Sequence, residues 1–237
     1  MAERPGVVVL ASGSGTTFEA FGNALHDFDL GVDIRAVISD RPDAGIIQKA
    51  VAMNATYGWD MDIRTIDKNN YPPTDAEATS LAKWDLTDAQ SSEMQRICLG
   101  VGTMVVSLQG CLSKIRGPLF ETYGQQPYHK NVLECGMLNN HPGLTHRTAG
   151  LYGHKVHAKA LQDYQADVEQ DTAITIIAVN AVYDEGTTID LSRVAILATD
   201  SIADVEGRVQ SREKTRTPVV VSRFAHARQA FLNYALS

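Results

Sequence analysis

Val7-Val-Val-Leu-Ala-Ser-Gly-Ser-Gly-Thr-Thr-Phe-Glu-Ala-Phe-Gly-Asn-Ala-Leu25 is the stretch that decides the fold. Val7 to Ala11 is an unbroken apolar run rich in β-branched residues, the pattern of a strand buried on both faces of a parallel sheet. Ser12 to Thr17 is a glycine-rich turn, and Phe18 to Leu25 has helical character. Strand, turn and helix start together form an anion site. Gly13 and Gly15 let the backbone approach a ligand closely, while the free amides and positive end of the helix attract negative charge. Neither common nucleotide fingerprint fits, because Phe18 stands where a dinucleotide site needs a third glycine and the P-loop lysine is missing. A tight strand-to-helix turn that binds nothing is the other reading of these residues.

The strand-then-helix order repeats outward from here. Val32 to Ser39 predicts a second strand, residues 40–45 its turn and Ile46 to Ala52 a short helix. Such alternation implies a parallel sheet with right-handed crossovers. The expected fold is therefore α/β: a single doubly wound, Rossmann-like domain over residues 1–237, with a mostly parallel central sheet and helices on both faces. Thr74 and Glu77 form a capping box that predicts a long helix reaching toward Cys98, with a kink near Thr87-Asp88 and Trp84 in the core. Val101 to Leu108 predicts the central strand, and the apolar-leaning run Val132 to Leu138 a further one. Thr172 to Val179 and Val194 to Leu197 predict the closing strands. Ser201-Ile-Ala-Asp204 reads as a capped start to a final helix over Val205 to Thr217. A polar insert, Gly124 to Asn131, reads as a surface loop.

Composition narrows the function classes. The chain has 237 residues, 44% hydrophobic and 21% charged, values of a globular protein. Its formal charge of -7 comes with no block of Lys and Arg, which disfavours nucleic acid or an anionic membrane as partner. Cys98, Cys111 and Cys135 are widely spaced and suit buried thiols of a reducing compartment. Met1 to Gly6 leads into too few apolar residues for a signal peptide or a span. The expectation is a cytoplasmic monomer or homodimer acting on small molecules. His154 and His157 share a helix face at i and i+3, but no carboxylate or thiolate stands at ligand spacing, so no metal is expected and a solvated or substrate-facing helix accounts for them.

The chemistry concentrates in Met137-Leu-Asn-Asn-His-Pro-Gly-Leu-Thr-His-Arg-Thr-Ala-Gly150, read as a polar, turn-rich loop. Asn139 and His141 lie two apart, so in extended backbone both leave on the same face. One is a neutral donor and acceptor, the other titrates near neutral pH, and such a pair suits an oxyanion forming at a carbonyl carbon. Pro142 ends the strand by removing an amide donor. Taken alone, Asn-His-Pro is equally turn chemistry after a buried strand.

Leu138-Asn139, His141-Pro-Gly-Leu144, Gly150-Leu151 and, later, Asp184-Glu-Gly186 resemble in residue and order the signature of the folate-dependent formyltransferases that act on glycinamide ribonucleotide. The likeness covers nearly the whole chain except the polar insert and the helix before the site. It implies transfer of the formyl group of 10-formyltetrahydrofolate, a co-substrate, to the ribonucleotide amine in purine biosynthesis, with Asn139, His141 and Asp184 catalytic and no metal. It further implies that Ser12, Gly13, Ser14, Gly15, Thr16 and Thr17 hold the ribonucleotide phosphate, with Pro142, Gln210 and Glu213 on the rest of that substrate. Gly110, Leu112, Lys114 and Ile115, with Asn139 and Asp184, are implied to receive the folate. The chain departs from the family in three places: Thr16-Thr17 replace Ser-Asn, Ser113 replaces an arginine, and Ile177 replaces a histidine. Without the resemblance, Glu213 reads as an exposed helix carboxylate. Two alternatives carry the same trio. A formyltetrahydrofolate deformylase is expected to bring an additional N-terminal domain for which the sequence leaves no room. A folate- or nucleotide-binding homologue would have lost turnover. A methionyl-tRNA formyltransferase is expected to need a basic C-terminal extension that the sequence lacks.

Overall fold

β1 (Gly6–Leu10) is buried along its whole length, and its alternating side chains feed two different cores. Val7 and Val9 point into one cluster, Val8 and Leu10 into the other, which is why the run is apolar without a break. The structure, a computed structural model, describes residues 3–235; Met1 and Ala2 of the N-terminal segment discussed above lie outside it.

The chain continues through α1 (Thr16–Phe28), β2 (Asp33–Ser39), α2 (Gly45–Tyr57), β3 (Asp62–Thr65), α3 (Asp75–Ala78), α4 (Asp88–Gly100) and β4 (Thr103–Leu108). Then come α5 (Gly117–Tyr123), a 3-10 turn (Val132–Glu134), β5 (Met137–His141), α6 (Thr145–Thr148), α7 (His154–Gln165), β6 (Asp171–Ala178), β7 (Thr188–Ala195) and α8 (Ile202–Ala235). The seven strands form one sheet in the order β3-β2-β1-β4-β5-β6-β7. β1 to β5 pair in parallel, and β6 and β7 pair antiparallel. The doubly wound α/β architecture expected from the sequence is the one observed. α1, α2, α7 and α8 pack on one face of the sheet, α4 and α5 on the other.

β1 lies between β2 and β4, so the loops after β1 and β4 diverge to opposite sides and open a crevice at their carboxyl ends. Two bonds lace those loops together: the Ser12 amide donates to the Gly110 carbonyl (3.2 Å), and the Leu112 amide donates to Ser12 Oγ (2.9 Å).

Several elements differ from the sequence-based expectation. Val132 to Leu138 is not one strand. Asn131 and Glu134 cap a 3-10 turn there, and the strand starts at Met137, so Asn139 and His141 belong to the strand itself rather than to a loop behind it. The long helix from Thr74 is two helices, because Thr87 and Gln90 form a second capping box that starts α4 afresh. Trp84, in the intervening segment, is only half-buried and lies outside the core, between Arg41 (5.0 Å) and Lys83 (4.8 Å). The last strand spans Thr188–Ala195 instead of Val194 to Leu197; one side of it is solvated, which hid it from an apolar-run reading. α8 runs 34 residues, straight through Pro218, where the final helix was expected to stop at Thr217. Pro218 forfeits one helical bond, but Val220, Val221, Phe224 and Ala225 bury beyond it and hold the helix on course. His154 and His157 do not share an environment either: His154 is exposed and His157 is buried at the base of α7.

Candidate active site

β5 carries polar side chains to both of its faces. Asn139 and His141 leave on one side, Asn140 on the other. Pro142 follows, and Gly143 is required just after it: a Cβ there would lie 2.4 Å from Thr148 Oγ1 and 2.7 Å from Val156 Cγ1.

On the first face stands a buried trio. Asp184 Oδ2 lies 3.3 Å from His141 Nδ1, and Asp184 Oδ1 accepts from Asn139 Nδ2 at 3.3 Å. The Gly150 amide donates to Asp184 Oδ2 at 3.0 Å. The side chains of His141 and Asp184 are 3% and 8% exposed, so the two groups meet with little water around them. Burial by itself raises the Asp184 pKa, but hydrogen bonding and charge from His141, with the donors of Gly150 and Asn139, outweigh it and hold the carboxyl below its ordinary value. Asp184 sits at φ 57°, a left-handed conformation uncommon outside glycine though tolerated by Asp.

Thr148, at the end of α6, meets the other side of the imidazole. Its Oγ1 lies 2.9 Å from the Leu144 carbonyl and 2.7 Å from His141 Nε2, so the hydroxyl ties the imidazole to the start of α6. Nδ1 faces a carboxylate and Nε2 faces a hydroxyl, so both ring nitrogens have a hydrogen-bonding partner. Thr148→Val is expected to leave a buried imidazole nitrogen without a partner and to cost about 1–3 kcal/mol; chemical denaturation should show the loss, and Thr148→Ser should recover most of it. Equal stability of all three proteins would mean the contact carries nothing.

The trio forms the floor of a cavity of about 360 Å³. Gly110, Leu112, Ser113, Lys114 and Ile115 from the loop after β4 make one wall, and Ala181, Val182 and Tyr183 from the loop after β6 make the opposite wall. Lys114 Nζ lies 5.6 Å from the Tyr183 ring centroid, so the two walls touch at the mouth. Ile177, opposite Asn139 in the β5–β6 register, is buried and gives the floor an apolar side. Cys111 also lines the cavity, but burial pushes its thiol up to about 12, so it is no nucleophile near neutral pH.

On the second face of β5, Asn140 Nδ2 donates to Thr217 Oγ1 (2.9 Å) and to Glu213 Oε1 (3.4 Å). Glu213 Oε1 also accepts from Thr17 Oγ1 (3.1 Å), at the start of α1. Glu213 thus has neutral donors around it and no bonded cation, and burial pushes its pKa up. Glu213 is therefore not the exposed carboxylate its position on a helix suggested. Beside it, α1 begins at Gly15 (φ 71°) with no side-chain cap, which leaves its first amides open to an anion.

The sequence-predicted residues therefore separate into two neighbouring groups. Asn139, His141, Pro142, Asp184, Gly110, Leu112, Lys114 and Ile115 all line the cavity, so Pro142 faces this side rather than the glycine-rich loop. Gly13, Ser14, Gly15, Thr16 and Thr17 surround the start of α1 beside Glu213, and Ser12 is buried with its hydroxyl spent on Leu112. Gln210 does not join them: it is exposed and bonds Glu206 on its own helix (3.0 Å). Asn140, Thr148, Tyr183 and Trp84 were not anticipated. Asn140 had a signal, as a polar residue at the opposite phase of the strand; Thr148 reaches His141 only because α6 folds back.

Among the described residues, no group of three or more His, Cys, Asp or Glu is arranged to hold a metal ion, and no helix is long and apolar enough to cross a membrane.

No family model matches. Phosphoribosylglycinamide formyltransferase of Haemophilus influenzae is 27% identical over 223 residues, covering 94% of this chain and 88% of the relative. The protein of the same name from Escherichia coli is 27% identical over 224 residues with the same coverage. Among solved structures, phosphoribosylglycinamide formyltransferase of Coxiella burnetii, in complex with CHES, superposes with a TM-score of 0.73 at 25% identity, covering 95% of this chain and 89% of that one. Glycinamide ribonucleotide transformylase 1 of Symbiobacterium toebii superposes with a TM-score of 0.74 at 24% identity, covering 96% and 90%, and shares the fold. Along nearly its whole length the chain is similar to proteins named phosphoribosylglycinamide formyltransferase.

Proposed function

We propose that this protein is itself a formyltransferase, passing the formyl group of 10-formyltetrahydrofolate to the amine of glycinamide ribonucleotide. The observation that carries the reading is the buried Asn139–His141–Asp184 trio on the floor of an apolar-walled cavity, one strand's thickness from an uncapped helix start. The cavity suits a flat aromatic heterocycle, and the amides at α1 suit a phosphate.

In this reading the amine attacks the formyl carbon, and the carbonyl oxygen takes up negative charge. Asn139 Nδ2 and the charged His141 stabilise that oxyanion; a single donor of this kind is worth roughly 2.7–4 kcal/mol. Their present bonds to Asp184 are long at 3.3 Å, and such bonds rearrange when substrate arrives. The C–N bond to the folate nitrogen then breaks, and that nitrogen takes a proton in place of the one the amine gives up. Asp184 keeps His141 cationic and orders the water that carries the proton. Glu213, with Thr17 and Asn140 beside it, accepts from ribonucleotide hydroxyls next to the bound phosphate. The unpaired Cys98, Cys111 and Cys135 suit the reducing cytoplasm, where we place the protein.

The test is release of tetrahydrofolate from 10-formyltetrahydrofolate, with and without glycinamide ribonucleotide. Strict dependence on the ribonucleotide is the expected result. Turnover without it would replace transferase by hydrolase, and folate binding without any turnover would replace it by a binding protein.

A further inference from the structure

The polar insert after α5 packs against the loop that carries Asp184. That loop, residues 180–186, leaves β6 at Val179 and rejoins the sheet at Thr187, and its neck is narrow: the Ala178 amide donates to the Thr187 carbonyl at 2.8 Å. Gln125, the second residue of the insert, bonds both sides of this neck. Its amide donates to the Val179 carbonyl (2.6 Å). Its side-chain Oε1 accepts from the Thr187 amide (3.0 Å), and its Nε2 donates to Thr187 Oγ1 (2.6 Å).

The insert is stiff enough to act as a support. The Gln126 amide donates to His129 Nδ1 (3.2 Å), and the amides of Lys130 and Asn131 both donate to Glu134 Oε1 (2.9 Å each). Those two amides hold the Glu134 carboxyl below its ordinary value. Gln126 Nε2 reaches back to the Phe120 carbonyl of α5 (3.1 Å). What Gln125 steadies has reason to move, because Asp184 occupies a left-handed conformation and the neighbouring wall residues Val182 and Tyr183 are half-exposed.

We propose that Gln125 is a positioning residue: the insert exists to clamp the neck of the 180–186 loop, and through it to hold Asp184 against His141 and Asn139. It touches no substrate. The kinetic consequence rests on the formyl transfer proposed above, while the clamp itself does not.

Hydrogen exchange and steady-state kinetics on wild type, Gln125→Ala, Gln125→Glu and Thr187→Val separate the two. In Gln125→Ala the amides of residues 180–187 should exchange about tenfold faster while the strands of the sheet keep their protection, and kcat should fall about tenfold with KM for the ribonucleotide unchanged. Gln125→Glu should restore both, since a carboxylate accepts from the Thr187 amide and hydroxyl alike. Thr187→Val should give part of the loss and little more when combined with Gln125→Ala. Unchanged exchange at 180–187 in Gln125→Ala would overturn the clamp, as would a kcat loss that Glu does not rescue. Should the wild type transfer no formyl group, the proposed reaction fails and the exchange data still decide the clamp.

Discussion

Asp184→Asn is expected to lower kcat by on the order of a thousandfold, within the range that positioned proton transfer contributes, while changing KM for either substrate only a few-fold. The amide occupies the same volume, so the cavity persists. It differs in two ways. An amide has one acceptor atom where Asp184 uses two, for Asn139 on one side and for His141 and Gly150 on the other, so its own N–H₂ must confront a donor. It also removes the negative charge that, in the proposed reaction, favours a cationic His141. Single-turnover measurements with saturating substrates isolate the chemical step, and a loss below tenfold would mean that Asp184 only shapes the site. The pH dependence has a definite sign. Because the folded Asp184 pKa is depressed, its contribution to stability is present above the ordinary carboxylate pKa and is lost as pH falls through the folded value. Acidification to about pH 5 should therefore leave this group ionised and its contribution intact.

Gly186→Ala is the second large effect, and its cause is steric. A Cβ built at Gly186 would lie 1.6 Å from the Ala178 carbonyl oxygen and 2.8 Å from its carbon. Both are backbone atoms of the sheet, so the neck must open. Opening it breaks the Ala178–Thr187 bond and pulls Thr187 from Gln125. The expected cost is about 2–4 kcal/mol of stability, at the upper end for a single substitution, and kcat should fall a hundredfold or more as Asp184 is displaced by a fraction of an ångström to an ångström. Gly150→Ala supplies the contrast. Gly150 has φ 75° but open space around its Cβ position, so it should cost only about 1 kcal/mol. Thermal denaturation with kinetics on both variants checks the order; equal mild effects would show that the Asp184 loop adapts freely.

The two substitutions also mark how far the sequence could be read. The strand–turn–helix at Val7 to Leu25 fixed the sheet type, because only a strand covered on both faces needs an unbroken apolar run, and the observed β1 feeds two cores. The spacing of Asn139 and His141 placed both on one face, and extended backbone enforces that wherever the strand begins. Asp-x-Gly at Asp184 was legible as a pattern from resemblance, but its reason was not: nothing local to Gly186 reveals that Ala178's carbonyl lies where a side chain would go.

What local signals misjudged shares one physical cause. The break between α3 and α4, the passage of α8 through Pro218 and the exposed flank of β7 were all settled by partners distant in sequence. Trp84 reads as core by its apolarity but lines the cavity, with Arg41 and Lys83 against its ring. Glu213 reads as surface by its charge, yet Thr17 and Asn140, 196 and 73 residues away, hydrogen-bond it in a half-buried position. The sequence by itself determined the layer architecture and that Asn139 and His141 share one face of a strand, because both follow from periodicities of the backbone. Only the tertiary structure decided which third group the pair meets, that Thr148 reaches the His141 ring, and that Gln125 holds the loop, because those depend on atoms brought together by packing.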